Sequence, residues 1–225
     1  MAKARRRSGE ASLIVAQPPA RLRNRAVIVV MLAVAVLALG LLTRADHVTA
    51  LDAAIARHFT WPDGAGPAPL ITFMKAISWI GGGTPRWVLV GLIAAAVRYW
   101  GGRRPALAIV AAVLFANIAS SLLKAAFDRP RPDLIAHLDH VSSASYPSGH
   151  ATSAAALYLT LALLAPVRWR RPVWTFAMLM IGLTGLSRIM LGVHWPSDVV
   201  GGTLLGAAFA LAAAWWARSE PAGPA

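Results

Sequence analysis

The chain has 225 residues, of which 57% are hydrophobic and only 14% are charged. Soluble domains carry about 25% charged residues, so this composition excludes an ordinary water-soluble protein and predicts a membrane protein. The absence of cysteine excludes disulfides, a thiolate nucleophile and cysteine metal ligands. The formal net charge is +13, but the basic residues form short runs between apolar segments. That distribution is typical of the cytoplasmic loops of membrane proteins, and we expect no nucleic-acid partner.

Apolar segments long enough to cross a bilayer follow one another along the chain. Residues 1–25 are basic and are predicted to form a disordered cytoplasmic tail. The apolar run 26–43 is longer than the hydrophobic part of a signal peptide and is predicted to be the first span. The remaining predicted spans are 86–100, 105–126, 150–166, 172–190 and 198–217. Residues 218–225 are predicted to form a second cytoplasmic tail.

The region 44–85 is predicted to hold short interfacial helices. Its segment from Leu70 to Ile80 is apolar, but it is short and carries Lys75. Apolar segments of about 10–14 residues are more often interfacial or re-entrant than spanning. If this one did cross, the arginines at 103–104 and 168–171 would lie outside, against the positive-inside rule.

We therefore predict an all-α fold: a polytopic membrane helical bundle of six transmembrane helices with both termini cytoplasmic. A single membrane domain would cover 26–217, with its active-site half in 105–217. Ionisable side chains collect at the outer ends of these spans: Lys124, His150, Arg188, His194 and Asp198. Charged groups at membrane helices are costly and indicate function by default. The structural alternative is snorkelling of single Lys or Arg side chains at helix ends, which does not account for the whole set.

The cationic members of this cluster suit a phosphate. Lys124, Arg131 and Arg188 are fixed positive charges, and the planar arginine fork matches phosphate oxygens. The sequence Tyr146-Pro147-Ser148-Gly149-His150 is predicted to open a helix, whose free N–H groups favour an anion. Glycine in that turn allows a ligand to approach the backbone closely.

Two histidines divide the predicted chemistry. One has to be neutral to attack phosphorus, and the other has to be protonated to supply the departing oxygen with a proton. Pro196 suits the first position of a helix, which places Asp198 in its first turn. Asp198 is then able to accept one ring N–H of His194 and leave the other nitrogen free to attack. Taken alone, Asp198 would be an ordinary first-turn acid favoured by the helix dipole. The acidic residues do not form a convincing metal cluster, and no metal or other cofactor is expected.

Three motifs in order resemble the signature of the type 2 phosphatidic acid phosphatase superfamily. They are Lys124-AAFDRP-Arg131-Pro132, Pro147-Ser148-Gly149-His150 and Ser187-Arg188-IMLGV-His194-WPS-Asp198. The resemblance implies a six-helix core and metal-independent hydrolysis through a phosphohistidine. It implies that His194 is the nucleophile, Asp198 its orienting partner and His150 the general acid. It also implies the phosphate-binding set Lys124, Arg131, Ser148, Gly149 and Arg188. The loop holds two Arg-Pro pairs, and the motif spacing favours Arg131 over Arg129 as the phosphate-binding arginine. Arg129 either assists in binding or has a purely structural role.

Soluble acid phosphatases and vanadium-dependent haloperoxidases share this signature, but the apolar runs favour the membrane lipid phosphatases. The predicted substrate is a lipid phosphate, with undecaprenyl diphosphate favoured because carrier lipids are released as diphosphates at the outer face. Phosphatidic acid, phosphatidylglycerol phosphate and lipid A phosphates are the alternatives, and a non-catalytic lipid-phosphate binding or transport protein is the alternative from another class. We expect a multi-pass protein of the cell (inner) membrane whose active site lies on the outer, periplasmic face. Its partners would be membrane lipids; the sequence predicts no oligomeric state.

Overall fold

The computed structural model describes residues 20–62 and 65–219. Most of the predicted N-terminal tail (1–19) and most of the predicted C-terminal tail (220–225) lie outside these residues. Within the described ranges every regular element is a helix, which confirms the predicted all-α class. The helices are α1 (Ala20–Leu42), α2 (Asp46–Arg57), α3 (Ala68–Gly81), α4 (Gly83–Gly101), α5 (Arg103–Phe127), α6 (Gly149–Leu164), α7 (Arg170–Met190) and α8 (Pro196–Arg218).

Four of these helices are long and apolar enough to cross a membrane: α1 from Asn24, α5, α7 with the short turn before it, and α8. Helices α3 and α4 meet that standard only as a pair, and they are bent by 64° at the break between them. Such a pair is either one broken span or a re-entrant loop. Helix α6 is apolar but has only 16 residues. Length and composition therefore support four or five spans, and the count of six stays a prediction.

Helices α6 and α8 form the centre of the bundle. Helix α6 is apolar on all sides and mostly buried, as a central helix has to be. Its largest interface is with α8, and α1, α5 and α7 pack around this pair. Glycines of α8 allow the close approach: a Cβ at Gly202 would lie 2.5 Å from the carbonyl oxygen of Ser148, and one at Gly206 would overlap that of Thr152. Small residues have this role at helix interfaces in membranes. The contact places the first turns of α6 and α8 side by side.

Helix α2 buries a polar residue and exposes apolar ones. Asp52 and Ala56 face the protein, whereas Leu51 is 61% exposed and Phe59, just beyond the helix, is 40% exposed. This is the reverse of a helix on a soluble protein. It suits a helix that lies on the membrane surface with its apolar side toward lipid, as predicted for the 44–85 region.

Candidate active site

The predicted site residues meet at one end of the bundle, although six separate stretches of chain supply them. Lys124 lies in the last turn of α5, and Arg131 lies in the irregular segment that follows it. Ser148 caps the N-terminus of α6, and Gly149 and His150 are its first residues. Arg188 lies in the last turn of α7, His194 in the connection after it, and Asp198 in the first turn of α8.

The His194 side chain lies between a carboxylate and a guanidinium. Its Nδ1 is 3.4 Å from Asp198 Oδ2, and its Nε2 is 3.3 Å from Arg131 Nη1. The partners assign the ring proton to Nδ1, which donates to Asp198, and leave the lone pair of Nε2 facing the cations. Nε2 is therefore the ring atom whose lone pair is not directed at Asp198.

Burial keeps the His194 ring neutral. The side chain is almost completely buried, and this burial lowers the pKa of His194 to about 3; Asp198 opposes the shift only in part. The positive charges of Arg188 and Lys124 lower the pKa further. A neutral imidazole is the form that a nucleophile needs.

The carboxylate of Asp198 is fully buried and heavily hydrogen-bonded. Its Oδ2 accepts the Trp195 backbone N–H at 2.9 Å and the hydroxyl of Ser145. Its Oδ1 accepts Arg129 Nη1 at 2.6 Å. These bonds compensate for the cost of burying a charge and fix the carboxylate beside His194.

Lys124 and Arg131 donate to main-chain carbonyl groups of the segment between α5 and α6 and, for Arg131, of the connection between α7 and α8. The Lys124 ammonium donates to the carbonyl oxygens of Ala144 and Ser145. Arg131 donates from Nε to Ser143 O at 2.8 Å and from Nη1 to Val193 O at 2.5 Å. Burial and the nearby Arg188 lower the pKa of Arg131 to about 10, so it remains charged at neutral pH. Neither cation has its charge neutralised by these carbonyls.

Arg188 is buried and only partly paired. Its Nη1 donates to Asp139 Oδ2 at 2.5 Å and to Ser78. Burial would raise the pKa of Asp139, but the hydrogen bonds from Arg188 and Ser78 hold that pKa below its usual value, so the carboxylate is ionised. The Nε atom of Arg188 and the hydroxyl of Ser148 are buried and have no hydrogen-bond partner in the described part of the chain. Two polar groups are thus left free where the sequence predicts phosphate binding.

His150 packs against the break between α3 and α4. A Cβ at Gly82 would lie 2.5 Å from His150 Nε2, and one at Gly81 would lie 3.4 Å from its Cδ2. The absence of side chains at these two glycines provides the space that the His150 ring occupies. Gly149, in contrast, has no such steric requirement, because a Cβ there would make only ordinary contacts with Ser120 and Lys124.

A buried ion-pair network beside the site was not predicted from the sequence. Arg129 is 6% exposed and donates to Asp52 at 2.7 Å as well as to Asp198 and Ser197. Asp52 also accepts the Ser197 backbone N–H at 2.9 Å and the Ser197 hydroxyl at 2.5 Å. Arg129 therefore contacts two carboxylates and connects α2 with the start of α8. The available signal for Asp52 was its position beside Leu51, Ala54 and Ile55, where a charged side chain interrupts the apolar part of α2.

Comparisons with known proteins agree with the motifs. The sequence pattern of the PAP2 superfamily matches residues 105–221, about half of the chain. The chain therefore belongs to the PAP2 superfamily, and the predicted resemblance is confirmed. The lipid A 1-phosphatase of Rhizobium johnstonii is 36% identical over 108 residues, which are 44% of this chain and 42% of that protein. The decaprenylphosphoryl-5-phosphoribose phosphatase of Mycolicibacterium smegmatis is 34% identical over 141 residues, 61% of this chain and 74% of that protein.

A solved structure extends the similarity beyond the motifs. The transmembrane PAP2 type phosphatidylglycerolphosphate phosphatase of Bacillus subtilis superimposes with a TM-score of 0.73 at 28% identity. The match covers 82% of this chain and 93% of that chain. The chain nevertheless spans less than half the length of the first curated relatives that it matches. These proteins are named for different lipid substrates, so similarity alone selects none of them.

The Asp52–Arg129 pair gives a stability prediction. Replacing Asp52 by Asn leaves a buried guanidinium with one carboxylate instead of two, and we expect the free energy of unfolding in detergent to fall by about 3 kcal/mol. Asp46→Asn is the matched control, because Asp46 is an exposed acid on the same helix. Its effect should stay below about 1 kcal/mol. Equal effects of the two substitutions would contradict a structural role for the buried pair.

The buried imidazole gives a pH prediction. We expect the ¹⁵N NMR signals of the His194 ring, assigned by their loss in His194→Gln, to stay those of a neutral ring from about pH 8 down to about pH 5. Since the folded-state pKa lies below the unfolded one, His194 makes folding less favourable as the pH falls below about 6.5. A titration midpoint near 6.5 in the folded protein would show that burial does not control this residue.

Proposed function

We propose that this protein hydrolyses a phosphomonoester or pyrophosphate on a membrane lipid through a phosphohistidine at His194, without a metal. The observation that carries the proposal is the pair of buried, unpartnered groups, Arg188 Nε and Ser148 Oγ, beside a neutral histidine. An unpaired buried donor costs about 1–3 kcal/mol. A phosphate oxygen would satisfy both groups, and the charges of Lys124 and Arg131 would stabilise it.

In the first step, the lone pair of His194 Nε2 attacks phosphorus and forms the N–P bond. The bond from phosphorus to the leaving oxygen breaks, and its electron pair stays on that oxygen. A proton from His150 neutralises the oxygen as it departs. The phosphorylated ring carries positive charge, which the Asp198 carboxylate stabilises through Nδ1–H.

In the second step, the now neutral His150 takes a proton from a water molecule. The water oxygen attacks phosphorus, the N–P bond breaks, and its electron pair returns to Nε2. Inorganic phosphate leaves, and both histidines are restored to their starting protonation states. Binding, positioning and proton transfer are thereby all assigned to side chains of this chain.

We further propose the finer topology that the sequence predicts. Six spans with cytoplasmic termini would count α4 and α6 as separate spans and α2 and α3 as interfacial helices. One membrane phosphatase domain would then cover 26–217, and the site would lie on the outer face of the cell membrane. The basic residues near the opposite ends of α5 and α7 support this orientation through the positive-inside rule.

The proposed substrate is undecaprenyl diphosphate, converted into undecaprenyl phosphate. A site at the bundle end suits a lipid whose head group lies at the membrane surface while its tail enters between helices. Relatives are named as phosphatases of phosphatidylglycerol phosphate and of lipid A, so these lipids are alternative substrates. Phosphatidic acid is a further alternative.

The function is tested with purified protein and lipid substrates labelled in the terminal phosphate. We expect release of phosphate in the presence of EDTA, and label on the protein after a quench without acid. His194→Gln should lower release by roughly a thousandfold or more and abolish the label. His58→Gln is the control, because His58 is exposed and its ring hydrogen-bonds to the Ala54 carbonyl of α2, away from the residues of the site. Binding of the lipids without release would identify a binding or transport protein, and turnover by His194→Gln would exclude this nucleophile.

A further inference from the structure

A cavity of about 480 Å³ opens beside His150. Helix α3, the α3–α4 break and the segment before α6 form its walls, with Lys75, Trp79, Gly82, Asp139, His140 and His150 among the lining residues. Neither the motifs nor the proposed chemistry explains this space. Lys75 in particular is the single charged residue of the otherwise apolar helix α3.

The cavity lies on the leaving-group side of the site. Its lining includes His150, whose proposed role is to protonate the departing oxygen, but not His194 or Arg131, which surround the attacking nitrogen. His150 Nε2 lies next to Gly82, which also lines the cavity. Attack and departure occur on opposite sides of phosphorus in an in-line displacement. A leaving group bound at His150 would therefore extend into this cavity.

The charge balance of the cavity favours an anion. Lys75 is exposed, and among residues 20–62 and 65–219 no carboxylate lies within ion-pair distance of its ammonium group. The one acid on the wall, Asp139, is neutralised by its ion pair with Arg188. The lysine thus offers a donor whose charge the cavity itself does not compensate. Lys is an effective point charge for phosphate.

We propose that this cavity binds a second phosphate, one carried by the leaving group of the substrate, and that Lys75 is its main ligand. The inference rests on the proposed function and deepens it: lipids that retain a phosphate after the terminal one is removed gain a contact with Lys75, and other lipid phosphates are hydrolysed without it. A polyprenyl diphosphate leaves a phosphomonoester, and phosphatidylglycerol phosphate leaves a phosphodiester. Phosphatidic acid leaves an uncharged glyceride and has nothing for Lys75 to bind.

The test compares kcat/KM on these three substrates for the full chain in detergent. We expect Lys75→Gln to lower kcat/KM about tenfold on the diphosphate, on phosphatidylglycerol phosphate, or on both, because a charge-assisted hydrogen bond is lost. Activity on phosphatidic acid should stay within about twofold, which also shows that the variant folds. Lys75→Arg should retain most of the activity on every substrate.

Arg57→Gln is the matched control, because Arg57 is an exposed cation of α2 that does not line the cavity. This substitution should not lower kcat/KM selectively on any of the three substrates. A loss of kcat/KM on the diphosphate would identify a phosphomonoester as the group bound by Lys75. A loss on phosphatidylglycerol phosphate would identify a phosphodiester. Equal losses on all three substrates, or no loss on any, would overturn the inference while leaving the phosphatase function intact. Failure of the wild-type protein to hydrolyse any of the three would instead overturn the proposed function, and the inference with it.

A second measurement needs no variant. Methylenediphosphonate presents two phosphonate groups, and inorganic phosphate presents one. If the cavity binds a second phosphate, the diphosphonate should inhibit phosphatidic acid hydrolysis by the wild-type protein at about tenfold lower concentration than phosphate does. Equal inhibition by the two compounds would count against the subsite.

Discussion

Burial of the Asp198 carboxylate is the constraint on which the arrangement of the site depends. An ionised carboxylate inside a helical bundle is strongly unfavourable unless the surrounding protein supplies donors. Here the donors are Arg129, the Ser145 hydroxyl and the Trp195 backbone N–H. They come from the irregular segment between α5 and α6 and from the residue before α8. Satisfying one carboxylate therefore fixes the positions of several pieces of chain.

That constraint extends to the periphery of the molecule through Arg129. Its second carboxylate partner, Asp52, lies on α2 and also accepts hydrogen bonds from Ser197 at the start of α8. Helix α2 is thereby connected to the helix that carries Asp198. In our account of the chemistry, α2 acts on the nucleophile only indirectly, through the position of that carboxylate.

The same geometry separates cations that are paired with carboxylates from cations that are not. Arg129 is paired with two carboxylates. Lys124 and Arg131 have no carboxylate partner among the described residues; both donate to carbonyl oxygens, and Arg131 also contacts the His194 ring. Arg188 is intermediate, with one nitrogen on Asp139 and another without a partner. Positive charge that is fixed in place but not neutralised is what a phosphoryl transition state requires. Preorganisation of this kind needs no rearrangement when the substrate arrives.

The sequence predicted the parts of this protein that depend on local or charge patterns. Hydropathy located the ends of α4 to α8 to within three residues, but it missed the first six residues of α1, which were assigned to the tail. The motif spacings identified the residues that the structure brings together around His194. The pairing of Asp52 with Arg129 could not be predicted, because it joins residues 77 positions apart and rests on tertiary packing alone. Asp139 and Ser78 were missed for the same reason. The number of spans stays a prediction, because the bent pair of α3 and α4 is either one broken span or a re-entrant loop.

Orthovanadate, which adopts the five-coordinate geometry of a phosphoryl group in transfer, tests directly whether His194 is the nucleophile and His150 the acid. A crystal structure of the protein with vanadate should show vanadium bonded to Nε2 of His194, with oxygens on Arg188 Nε and Ser148 Oγ. The axial oxygen opposite His194 should face His150. Vanadate bonded to His150, or bound away from both histidines, would contradict the assignment of nucleophile and acid.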